Sequence, residues 1–414
     1  MLADLPNFVT ISIQFIPMSK YDFDTVIDRR GTSAVKYDWL DGMFGRHDVS
    51  PLWVADLDFA VCPDIVNGLR RRLDHPILGY YACPESYWDA LADWLSRRHG
   101  LKTRREEMTF IPGVVKGIAY CVNFFTQKGD KILIQPPVYY PFRMVIEGNG
   151  RQVVENPLKF DGNSYSMDLE HLAETVERER PVMMILCNPH NPIGIQWDSE
   201  TLAAVAAICR KAGVKVVSDE IHGDLMLNGR RHIPFIDSCD DAREIGIMLG
   251  APSKTFNIPG LVSSWMIIKN PQLRGEFFDW LAVNEFSLPM MASILGAEQA
   301  YTHGEQWLDE MLRYIESNIE FALEYVADNI PEVKIIRPQA SFLLWVDFRG
   351  LGLCQKALMD MLLDKAHIAL NDGTMFGVQG EGFARLNVGC PRSVLADALD
   401  HIRKAVESVC DCGK

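Results

Sequence analysis

Residues 182–187 read Val-Met-Met-Ile-Leu-Cys, apolar residues in unbroken succession. A short run without polar alternation fits a strand covered on both faces, the setting of a parallel sheet between helix layers. Similar runs recur at 214–218 and 247–250, and an earlier one at 131–135 is ended by Pro136-Pro137. Between them the apolar spacing turns helical. Residues 201–212 carry such a pattern, with Asp198 or Ser199 placed to cap it and Gly213 to stop it. This alternation predicts an α/β fold: a mostly parallel sheet sandwiched by helices.

The last third changes character. From Trp307 the apolar residues Leu308, Met311, Leu312, Ile315, Ile319, Ala322, Leu323 and Val326 recur every three or four positions. That is the stripe of a long amphipathic helix. A strand-like 342–348, a helix near 355–366, a strand near 384–388 and a helix from 394 to about 409 follow. They suggest a separate, smaller α+β unit. The expected division is a large unit at 61–305 and a small C-terminal one at 306–414, with the segment 18–60 packing on the small one. Residues 1–17 are apolar but lack the basic start of a secretory signal, and Met18 offers another start. They are expected to be a disordered or non-native leader.

Charge and cysteine usage narrow the function. Lys+Arg 41 against Asp+Glu 55 leaves −14, which disfavours nucleic acid or an anionic membrane as partner. No apolar stretch reaches the roughly 18 residues of a membrane span. Cys121, Cys187 and Cys209 sit in apolar runs and read as core thiols. Cys410 and Cys412 form a lone C-x-C without a second ligand pair, so no metal site is expected. Scattered cysteines and the lack of any N-x-[ST] acceptor suit a reducing cytoplasm.

Open α/β sheets bind ligands beyond the carboxyl ends of their strands. The run 182–187 is followed by Asn188-Pro-His-Asn191-Pro-Ile-Gly194, the run 214–218 by Asp219-Glu-Ile-His222, and the run 247–250 by Ala251-Pro-Ser253-Lys254-Thr-Phe-Asn257. An amide, a carboxylate and an amine thus reach one sheet edge. Upstream, Gly113-Val114-Val115 lies between a strand-like 108–111 and a helical pattern, a glycine-opened helix start suited to a phosphate. One cofactor asks for this set: pyridoxal 5'-phosphate (PLP). It needs a lysine for its aldehyde, a buried carboxylate for its ring nitrogen, a donor for its phenolic oxygen and amides for its phosphate. Lys254, Asp219, Asn191 and residues 113–115 fit in that order, and Tyr139 could stack on the ring.

On these stretches the chain resembles the fold-type-I PLP enzymes of the aminotransferase superfamily, and within them the MalY/PatB branch of cystathionine β-lyases. Further matching stretches are Pro51-Leu-Trp-Val-Ala-Asp-Leu-Asp-Phe59, Gly79-Tyr80, Pro136-Pro-Val-Tyr-Tyr-Pro141, Ser218-Asp-Glu-Ile-His222 and Ala384-Arg-Leu-Asn-Val-Gly389. The resemblance implies that Lys254 binds the cofactor and later moves the proton, and that Asp219 pairs with the ring nitrogen. It implies that Asn191 donates to the phenolic oxygen, Tyr139 stacks, Tyr140 lies near the substrate and Arg385 clamps the substrate carboxylate. Ala55 and Asn191 would line the substrate site, and Gly113, Val114, Val115 and Ser253 would bind the phosphate. Tyr80 would reach the cofactor of a neighbouring subunit, which requires a homodimer.

Two positions depart from the wider superfamily. His222 stands where many aminotransferases carry a tyrosine, as the lyase branch tends to have it, and is expected at the cofactor. Val262 stands where many members carry a phosphate-binding arginine, leaving Ser253 or Thr255 to help. The expected activity is a PLP-dependent carbon–sulfur β-lyase that cleaves cystathionine or a related cysteine S-conjugate. The rivals are a class I/II aminotransferase and, in another class, a PLP-containing regulatory binding protein.

Overall fold

The computed structural model describes residues 20–410. The expected leader at 1–17 and Cys412 lie outside the described residues. Seven strands form the central sheet: β1 (Met108–Ile111), β2 (Lys131–Ile134), β3 (Gln152–Glu155), β4 (Met183–Cys187), β5 (Lys215–Asp219), β6 (Gly246–Gly250) and β7 (Ser264–Ile267). Their order is β1-β7-β6-β5-β4-β2-β3. All neighbours are parallel except β7, which runs antiparallel to both β1 and β6. Every residue of β4 and β6 is buried, as continuous apolar runs between two helix layers should be.

Register decides where the loops go. Cys187 pairs with Asp219, and Asp219 with Leu249. The three chains therefore leave β4, β5 and β6 side by side at one edge. The helix Ser199–Ala212 is capped by Asp198, whose side chain accepts from the Thr201 N–H, and ended by left-handed Gly213.

The C-terminal part holds a second, antiparallel sheet of β8 (Lys334–Ile336), β9 (Leu343–Asp347), β10 (Asn371–Asp372) and β11 (Phe383–Asn387), in the order β8-β9-β11-β10. The helix Glu305–Asn329 buries Trp307, Leu308, Met311, Ile315, Ile319, Ala322 and Val326, the stripe expected from periodicity. The helix near 355–366 is split: Gln355–Asp360 is α-helical and Met361–Lys365 forms a wider π turn. Ser50–Pro51 pairs in parallel with Ile368–Ala369, and the Lys20 backbone N–H donates to Glu310. Among the described residues no helix is long and apolar enough to cross a membrane, and no group of three or more His, Cys, Asp or Glu is placed to hold a metal.

Candidate active site

A cavity of about 290 Å³ opens at the edge where β4, β5 and β6 end. Ala55, Gly113, Val114, Val115, Tyr139, Asn191, Asp219, His222, Ser253 and Lys254 all line it. Asp219 closes β5. Burial drives its carboxyl up to about 7, with Glu220 adding to the rise, while the Ile221 N–H at 3.1 Å and the Lys254 amine oppose it. That N–H is the one hydrogen-bond donor the carboxylate has among the described residues.

Lys254 sits in the short helix Pro252–Thr255 that follows β6. Its Nζ donates to the Ala55 carbonyl oxygen. Burial pushes the amine down to about 8, helped by the Arg385 guanidinium and opposed by Asp56 and Asp219. The Asn191 N–H donates to Cys187 Sγ at 3.3 Å, and its Oδ1 accepts from Arg385 Nη1 at 3.1 Å. With Oδ1 engaged, the NH₂ of Asn191 is left as a donor. Burial, with Lys254 and Arg385 nearby, pushes His222 down to about 3, so it is neutral at physiological pH. Burial also pushes the Tyr139 phenol up to about 12, so that ring stays uncharged.

Gly113 caps the helix Val114–Phe125 at φ +117°, a backbone region that favours glycine. The first helical bond is Gly117 N–H to the Gly113 carbonyl. The amides of residues 114–116 therefore have no partner within the helix, and these residues line the cavity.

Tyr140 and Arg385 stand just behind the wall. The Tyr140 ring is 5.4 Å from that of Tyr139. Arg385, on β11, is buried, and its Nη2 donates to Asn371 Oδ1 at 2.6 Å and to the Trp53 carbonyl at 3.1 Å. Its Nε has no hydrogen-bond partner among the described residues. Tyr80 is fully exposed and takes no part in the cavity of its own chain.

Ser253 and Thr255 are the alternatives that the sequence leaves for a phosphate, and the structure separates them. Thr255 Oγ1 donates to Asp224 Oδ2 at 2.9 Å, away from the cavity wall, and of the two Ser253 alone lines it. Sequence reasoning missed Ser263 and Ser264, which also line the cavity. Ser264 donates to the Ser263 carbonyl at 2.8 Å, and the Ser263 hydroxyl lies beside that of Tyr87. The signal was the serine pair directly after Val262. That valine lines the cavity at φ 52°, a strained conformation for a β-branched residue.

The site fits PLP. It holds a buried carboxylate short of donors, a free amide edge, an amide NH₂ and an amine of lowered pKa in one cavity.

The chain matches the model of the family "Aminotransferase class I and II" over residues 48–402. It belongs to that family. Among curated relatives, cystathionine beta-lyase PatB of Bacillus subtilis is 42% identical over 385 residues, covering 93% of this chain and 100% of PatB. Among solved structures, a PLP-bound putative aminotransferase from Clostridium difficile superposes with a TM-score of 0.90 at 38% identity, covering 93% and 100% of the two chains. The PLP-bound C–S lyase from Staphylococcus hominis does so with 0.88 at 31%, covering 94% and 99%. As open α/β sheets do, this one sets its cavity beyond the carboxyl ends of its parallel strands.

Proposed function

We propose that the protein is a PLP-dependent carbon–sulfur β-lyase acting on cystathionine or a related cysteine S-conjugate. The observation that carries this reading is the end-to-end likeness to a cystathionine β-lyase, over a cavity that keeps Lys254, Asp219 and Asn191 together. In sum, L-cystathionine and water give homocysteine, pyruvate and ammonia.

PLP, when bound, supplies an electron sink for the bonds at the substrate α-carbon. The chain's own residues do the rest. Lys254 would hold the cofactor through its amine, and its neutral Nζ would take the substrate α-proton. Asp219 keeps a proton on the ring nitrogen. Asn191 donates from its NH₂ to the phenolic oxygen, with His222 beside it. The amides at Val114 and Val115, behind Gly113, would bind the phosphate with Ser253, and Tyr139 would cover the ring. Arg385 clamps the substrate α-carboxylate, and Ala55 and Tyr140 flank the substrate. This scheme goes with a division into a PLP-binding unit at 61–305 and a smaller one at 306–414, with 18–60 packed on the latter.

The active form is proposed to be a homodimer. Leu73, Ile77, Leu78, Tyr80, Leu288 and Met290 are all well exposed, apolar side chains of the kind that an interface covers. They flank the packed helices Pro63–Leu73 and Met291–His303, and Leu261 lies against Gly296 of the second helix. Tyr80 would cross into the neighbouring site. The proposed location is the cytoplasm, in keeping with free thiols at all the described cysteines whose side chains are placed.

Dependence on an oxo acid tests the reaction type. A lyase turns over L-cystathionine steadily with no 2-oxo acid added. An aminotransferase, which uses the same cofactor residues, stalls after one turnover per site until an oxo acid is supplied.

A further inference from the structure

The segment Trp53–Phe59, bent at 54–56 and 58–59, reaches the cavity at Ala55 and forms a strap whose carbonyls are taken up by side chains from elsewhere. Trp53 O accepts from Arg385 Nη2 at 3.1 Å. Val54 O and Asp56 O both accept from Asn387 Nδ2, at 2.6 and 2.7 Å. Leu57 O and Phe59 O accept from Asn257 Nδ2, at 2.9 and 3.0 Å, and the Leu57 N–H donates back to Asn257 Oδ1 at 3.0 Å. Between the two carbonyls held by Asn387 lies Ala55 O, the acceptor of Lys254 Nζ.

The two asparagines are placed by the functional residues themselves. Asn257 follows Lys254 by three residues, and Asn387 follows Arg385 by two on β11. Asn387 is fully buried, so its bonds are sheltered from water. The acidic side chains of the strap are tied down too. Asp56 and Asp58 pair with Arg29 at 2.6 and 2.7 Å, and Asp58 with fully buried Lys36 at 2.6 Å.

We propose that Asn387 and Asn257 are positioning residues, which hold the strap so that the Ala55 carbonyl stands as the fixed acceptor of the Lys254 amine. The inference rests on Lys254 as the PLP lysine, but not on lyase over aminotransferase. A fixed carbonyl interacts more strongly with an ammonium than with an amine, so it raises the amine's affinity for protons. The strap therefore works with the carboxylates of Asp56 and Asp219 against burial and Arg385, the charged groups that act on Lys254. Neutral His222 lines the same cavity. Freed of the strap, the amine would lose its proton at lower pH and lose its aim.

The experiment follows capture of PLP by the apoprotein as a function of pH, read from the visible absorbance of the bound cofactor. It needs no substrate and no turnover. Asn387→Ala is expected to move the midpoint of the capture rate down by about one pH unit, and Asn257→Ala to move it the same way by less. The control is Asn318→Ala. Asn318 is also fully buried and bridges two carbonyls, those of Val388 and Cys390, at 2.9 Å each, but it does not touch the strap. It should lower the melting temperature and leave the midpoint unchanged. If Asn387→Ala does not fold, Asn257→Ala decides alone. A wild-type midpoint in a folded strap variant, or an equal shift in Asn318→Ala, would overturn the proposal.

Discussion

Arg385 and Asn191 share a hydrogen bond, Nη1 to Oδ1 at 3.1 Å, that joins β11 of the small sheet to the loop after β4 of the large one. The proposed substrate clamp and the proposed cofactor donor thus orient each other. The same guanidinium spans Asn371 and the Trp53 carbonyl. An ammonium is a compact point charge without this planar fork. Arg385→Lys is expected to raise KM for the amino-acid substrate by about 30- to 100-fold, corresponding to about 2–3 kcal/mol of a charged hydrogen bond. It should change kcat less. Steady-state kinetics of the PLP-loaded variant checks this.

Lys254→Ala should remove the visible absorbance of lysine-bound cofactor and lower turnover by about 10⁴-fold or more, since both its attachment and its proton-transfer roles go together. Absorbance and product release measured on one sample test the two roles at once.

The lowered proton affinity of Lys254 predicts the pH dependence of cofactor capture in the wild type. With the amine at about 8, about a tenth of the molecules carry a neutral amine at pH 7, against a few in ten thousand for an ordinary lysine. Capture of PLP by the apoprotein should rise with pH and level off above about 8. A rate still climbing beyond pH 10 would mean that the lysine is not perturbed.

Asp219 carries the opposite sign in the apoprotein. Its folded carboxyl, at about 7, lies above its ordinary value of 3.8, so the folded state binds the proton more tightly than the unfolded one. The stability this gives is full below about pH 4 and is lost as pH rises towards 7. Asp219→Asn should flatten that slope in apoprotein melting curves. Bound PLP, by giving the carboxylate a cationic partner, should flatten it as well.

Lys36→Met removes the buried cation from Asp58 and is expected to cost about 3 kcal/mol, the lower end for breaking a buried pair because Arg29 remains. Thermal denaturation of the holoprotein measures it.

How much of this was legible in the sequence depended on distance along the chain. Asp219, Lys254 and Asn191 could be placed because each directly follows a buried run, and register carries neighbouring strand ends to one edge. The stripe of Glu305–Asn329 could be read because a helix repeats its pattern locally. β7 was not anticipated. It is a short Ser-Trp-Met-Ile segment, and its antiparallel pairing with β1 and β6 leaves no local mark. Asn387, Asn257, Asn371 and Lys36 were not foreseen either. Their importance comes from contacts such as Asn387 to Val54 and Asp56, which only the folded chain brings together. The choice between Ser253 and Thr255 stayed open because sequence cannot tell which side of a short helix faces Asp224 and which the cavity.

The central claim is tested most directly by product stoichiometry. PLP-loaded protein is given L-cystathionine with no 2-oxo acid, and thiol, pyruvate and ammonia are measured together. Equal amounts of all three over many turnovers per site are predicted. Thiol and pyruvate absent, or product formation stopping at one equivalent per site, would contradict the assignment as a β-lyase.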